Sequence, residues 1–138
     1  MSTPEAVVYD PRSMGFRRRI VVRLAVAIAQ LLARQPPRRI KKVLVCLHRG
    51  AQPATFAQAK AARDAVIAVS LACAGREGCL ARSLATVVYC RIHGQRATWC
   101  LGARHLPPFM AHAWIEVDGL PVDEPYPPDY FRIFFTVP

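Results

Sequence analysis

The hydrophobic pattern changes period after Arg91, and that change restricts the fold more than any other feature of the chain. Before it, apolar residues recur at helical spacing. A first helix spans Phe16 to about Arg34 and must stop ahead of Pro36 and Pro37, because a residue before proline disfavours helical geometry. A shorter one covers Arg39 to His48, with Val43, Leu44 and Leu47 on one face. "RGAQPAT" connects it to "FAQAKAARDAVIAVSLACA", alanine-rich and placed behind Thr55 as its cap. The glycines of "GREG" then break the chain, and Cys79 to about Arg91 forms a mostly buried helix through Leu80, Leu84, Val87 and Val88. Beyond Arg91 the segments "RATWCLGA" (96–103), "AHAWIEV" (111–117), "LPVDE" (120–124) and "YFRIFFTV" (130–137) read as strands. Asp118 and Gly119 both tolerate positive φ and make a hairpin turn between two of them. Helices first and antiparallel strands afterwards describe an α+β fold. With 138 residues the chain can bury one core. We expect an extended arm over residues 1–15 and a single domain over 16–138.

Composition narrows the function classes. Hydrophobic residues make up 53% and charged residues 20% of the chain, which belongs to a globular protein rather than a disordered one. The five cysteines are an odd number with no CxxC pair, and "MSTPEAVVYDPRSMG" lacks the basic-then-apolar plan of a secretory signal. These features point to reduced thiols and a cytoplasmic location. The longest apolar stretch, "IVVRLAVAIAQLLA", is too short and too polar to span a bilayer; the arginines before it would suit a membrane surface, but a buried amphipathic helix is the reading we favour. Charge is uneven. Residues 1–70 carry 13 Lys/Arg against Glu5, Asp10 and Asp64, whereas residues 71–138 carry 6 of each sign, so the whole net charge of +10 sits in the first half. That surplus suits an acidic partner, or a solvated helical face.

Chemistry concentrates in two segments. Cys79 follows Gly78 at a helix start, where unpaired amides and the helix dipole favour a thiolate and would also stabilise an oxyanion. Taken alone, such a cysteine is more often a small buried hydrophobe. His112 shares a strand face with Trp114 and Glu116, and the hairpin returns "VDE" alongside it. Asp123 or Glu124 can therefore orient the imidazole, completing the nucleophile, base and acid of covalent acyl transfer. A two-residue turn pairs Val117 with Leu120 and presents Asp123, the acid we favour; a three-residue turn presents Glu124. Trp114 either covers the site edge or packs structurally, and Arg82 and Ser83 brace the helix. The Cys46/His48 and Cys73/Cys79 spacings lack the second pair a structural zinc site needs, and no phosphate loop or dinucleotide fingerprint is present, so neither metal nor cofactor is expected.

"GCLARSLA" (78–85) followed by "LGARHLPPFMAHAWIEVDGLPVDEP" (101–125) resembles the transglutaminase-like cysteine proteases of lasso-peptide biosynthesis, the leader peptidases that cut the precursor before a separate cyclase closes the ring. The resemblance covers about residues 60–125 and, more loosely, the helical first half. It implies a transglutaminase-like, broadly papain-like core with Cys79 as nucleophile, His112 as general base and an acid in "VDE", commonly Asp. It also implies the split form, without a fused recognition domain. The expected partners are the precursor's leader peptide, a separate leader-recognition protein and the lasso cyclase, with no nucleic acid. Two other readings stand beside it: a transglutaminase-type amide-forming enzyme, and a non-catalytic basic module docking an acidic protein or nucleic acid.

Overall fold

The computed structural model describes residues 14–138, so most of the expected arm lies outside the described residues. Five helices come first: α1 (Phe16–Ala33), α2 (Pro37–His48), α3 (Phe56–Val69), the single turn α4 (Leu71–Ala74) and α5 (Cys79–Ile92). A short strand β1 (Gln52–Pro53) interrupts them. They are followed by β2 (Gln95–Arg96), β3 (Thr98–Arg104), β4 (Ala111–Val117), β5 (Leu120–Pro121) and β6 (Phe131–Val137). The mixed fold of helices and then an antiparallel sheet is the one the change of period announces.

The boundaries have local causes. α2 begins two residues earlier than its pattern suggests because Pro37 occupies the first helical position, where a missing N–H costs nothing. α3 opens on a reciprocal capping box: the Thr55 hydroxyl accepts from the Gln58 amide at 3.1 Å, and the Gln58 side chain accepts from the Thr55 amide at 2.9 Å. The alanine-rich run is not one helix. It breaks at Ser70, whose backbone is extended and whose hydroxyl caps α4 through the Cys73 amide at 3.2 Å. "GREG" contains a 3-10 turn (Arg76–Gly78) that leads directly into α5.

The main sheet has the order β5-β4-β3-β6, all antiparallel, while β1 and β2 form a separate parallel pair. Helices α1 and α3 pack on α5, and α5 packs on β4. The central helix is accordingly enclosed, with every residue from Ser83 to Cys90 buried. The core joins Val22, Ala25 and Ala29 of α1 to Leu84 and Val87 of α5 and to Trp99, Ile115 and Val137 of the sheet. A smaller cluster of Cys100, Trp114 and Phe131, with Tyr130 against it, covers the opposite face. The sheet ends in β6, a seven-residue edge strand carrying exposed Ile133 and Phe134.

Candidate active site

Cys79 is the first residue of α5, and no side chain caps this helix start. Its position depends on Gly78. A Cβ there would lie 2.2 Å from the Ala72 carbonyl oxygen and 2.9 Å from that of Cys73, so only glycine lets α4 fold down against the head of α5. Arg82, one turn on, fastens the same junction by donating to the carbonyls of Cys73 at 2.9 Å and Gly75 at 3.3 Å. Ser83 accepts from the buried Trp99 indole at 3.0 Å and donates to the Leu80 carbonyl, tying α5 to β3. The bracing role read for Arg82 and Ser83 is visible in these bonds.

His112 sits near the start of β4, opposite Gly102 of β3. Its ring stacks on Phe131, with centroids 4.6 Å apart and planes 19° from parallel, and on Trp114 at 5.7 Å and 16°. Trp114 is buried, with its indole donating to Glu116 at 3.0 Å. The imidazole Nε2 lies 2.8 Å from Oε2 of Glu124, whose side chain is only 5% exposed. The same ring is within electrostatic reach of the Cys79 thiol, and each shifts the other's titration.

Asp123, the acid favoured from the sequence, is elsewhere: its carboxylate accepts from Lys60 of α3 at 2.7 Å. The reason is not the turn. The hairpin has the two-residue loop, with Asp118 and Gly119 both at positive φ and Val117 paired with Leu120. Val122 still follows strand alternation, its amide donating to the Ile115 carbonyl at 3.0 Å and its side chain entering the core. Asp123 then adopts φ of 51°, a left-handed conformation that resets the parity and turns Glu124 toward His112. A two-residue turn and a glutamate partner thus coexist, a combination the sequence reading treated as exclusive.

Electrostatics follow the geometry. Burial alone would raise the Cys79 thiol, but hydrogen bonds from His112 and the Ala113 amide, with the charges of His112 and Arg82, bring it below its usual range. The Ala113 amide is available because β5 is so short. Ile115, on the same side of β4, meets Val122, whereas Ala113 lies beyond the two residues that pair with β5. For His112, burial works against the charged form, yet the bonds to Cys79 and Glu124 and their charges raise it to about 9. Each group thus favours the charged form of the other, imidazolium for His112 and thiolate for Cys79. The buried cysteines contrast with this. Burial pushes Cys90 up to about 12, and burial with Glu116 pushes Cys100 up as well. Cys79, by contrast, combines partial exposure with a lowered thiol.

Two neighbours escaped the sequence reading. Phe131, nineteen residues beyond His112, stacks on its ring. Arg63 of α3 and Arg82 face Glu124 around a cavity of about 10 Å³. Neither carries a local signal, since both are brought in by tertiary packing. His48 is buried with Nδ1 2.7 Å from the Pro138 carbonyl, and His93 bonds the Tyr89 carbonyl at 2.9 Å, so both are occupied structurally. Among the described residues no three His, Cys, Asp or Glu side chains converge as a group that could hold a metal ion. Residues 22–136 match the family model described as the transglutaminase-like superfamily. Comparisons with curated proteins and with solved structures returned no match.

Proposed function

This chain belongs to the transglutaminase-like superfamily, a group of cysteine peptidases and acyltransferases, and on that footing we propose that it is a cysteine peptidase cleaving the leader from a lasso-peptide precursor. The observation that carries the reading is the alignment of Cys79, His112 and Glu124, with the 2.8 Å bond from carboxylate to imidazole. In this mechanism the Cys79 thiolate attacks the carbonyl carbon at the end of the leader, and the amides at the head of α5 receive the developing oxyanion. Protonated His112 gives its proton to the departing amine, leaving a thioester. It then takes a proton from water, which attacks the thioester and frees the leader. Glu124 holds the ring and stabilises its charged form. The resemblance of residues 78–85 and 101–125 to the lasso leader peptidases supplies the substrate class, and with it a separate recognition protein that holds the leader and a cyclase that takes the freed amine.

The test is cleavage of a lasso precursor peptide, read by mass spectrometry, with the native chain and with Cys79→Ala. The expected result is loss of cleavage in a variant whose circular dichroism is unchanged, since removing one small side chain costs little stability. Cleavage comparable to the native chain would overturn the mechanism. Because the same three groups serve amide formation, the assay includes a primary amine. Release of free leader acid supports the peptidase reading, and conversion to the amine adduct supports the transferase.

A further inference from the structure

α1 is apolar on both sides. Val22, Ala25, Ala29 and Leu32 enter the core, yet Phe16, Ile20, Leu24, Ile28 and Leu31 stay 41–76% exposed. These five recur every three or four residues and form one ridge about 22 Å long on the outer side of the helix. Contiguous exposed apolar surface of this kind marks a binding face. At the helical repeat, Arg23 and Arg34 border the ridge on one side and Arg17 on the other. The next helix continues the charge. A surface hollow of about 570 Å³ is lined by Arg38, Lys41, Lys42, Val45, Cys46 and Arg49 of α2 and its end, none of them a residue of the candidate active site. No Asp or Glu occurs between Asp10 and Asp64.

We propose that the outer face of α1, with the basic side of α2, docks on an anionic phospholipid surface. The uniformity of the charge selects this occupant. A uniformly positive face beside an apolar ridge complements a surface that is itself uniformly negative and apolar beneath. A second copy of the chain would set like charges against each other. The contact lies on the membrane and not across it, since none of the described helices is long and apolar enough to span one. It is independent of the proposed peptidase activity.

The experiment is co-sedimentation of the full chain with vesicles of phosphatidylcholine alone and of phosphatidylcholine mixed with phosphatidylglycerol. Binding is expected to the mixed vesicles only, weakening as salt rises. Leu24→Gln combined with Leu31→Gln alters only exposed side chains, so the melting temperature should hold. Its partition onto mixed vesicles should nevertheless fall at least about tenfold. Lys41→Gln with Lys42→Gln should reduce binding and flatten its salt dependence. Native-like binding by the leucine variant, or equal binding to both vesicle types, overturns the proposal. So does dimerisation abolished by the leucine variant, which would assign the face to a second copy. Binding to polyglutamate but to neither vesicle would assign it to an acidic polypeptide and overturn the proposal equally.

Discussion

Asp123 and Glu124 are adjacent and chemically alike, yet the structure gives them unlike surroundings. Glu124 is nearly inaccessible and bonded to His112, whereas Asp123 meets Lys60 where both side chains are a third or more exposed. A surface pair of that kind contributes between about 0 and 1 kcal/mol. Asp123→Asn keeps a residue type that tolerates positive φ, so turnover and melting temperature should barely change. Glu124→Gln removes the charge that supports the imidazolium and should lower kcat by about two orders of magnitude or more, with KM little altered. Equal damage from the two variants would reject the assignment of Glu124. The pH profile tests the same pair differently. On the proposed function, cleavage needs Cys79 deprotonated and His112 protonated, so the profile should be bell-shaped, its acid limb below the usual thiol range and its alkaline limb near 9. Because Glu124 raises the His112 value, Glu124→Gln should move the alkaline limb to lower pH. An alkaline limb that stays in place would mean that another group sets it.

At the scale of the elements, the head of α5 is where backbone packing and chemistry meet. A methyl group on Gly78 collides with two carbonyl oxygens of α4, whereas one on Gly75 meets its nearest neighbours at 3.7 and 3.8 Å, an ordinary contact. Gly78→Ala should therefore destabilise the fold by about 1–3 kcal/mol and slow iodoacetamide modification of Cys79. Gly75→Ala, at an unstrained φ of −69°, should be neutral or slightly stabilising by the same thermal melt. If both variants behave alike, the close approach of α4 does not position the thiol. These elements also show what the chain discloses in advance. α1, α5 and β4 are legible because each holds one period for a full face, and Cys79 and His112 because each begins or rides such an element. The break at Ser70 is hidden inside an alanine-rich run that propensity alone would continue. The parity reset at Asp123 is hidden too, because a single left-handed residue leaves no periodic trace. Its carboxylate is claimed by Lys60, 63 positions earlier, a contact no local pattern encodes.

Across the whole molecule, the two ends of the sheet have different duties. Cys79 and His112 meet at β4, while β6 forms the edge at the opposite side of the order β5-β4-β3-β6. Strands lie about 4.8 Å apart, so a peptide added outside β6 would run about 14 Å from β4, on the far side of β3 from the histidine. An extended leader held there would not lie in line with the thiol. On the proposed function, then, β6 is not the capture strand, and positioning of the leader falls to the separate recognition protein, which binds it by strand addition. Ile133→Lys and Phe134→Lys place charges on exposed positions of that edge, 44% and 60% accessible, and should leave kcat/KM for the precursor within about twofold. Adding the recognition protein should instead raise kcat/KM strongly and mainly through KM, because it increases the local concentration of substrate without touching the reacting groups. Steady-state cleavage measured for native and edge variants, each with and without the recognition protein, separates the two surfaces. A large loss in the lysine variants without the recognition protein would place leader capture on β6 itself, and a native rate indifferent to that protein would reject its role in positioning the leader.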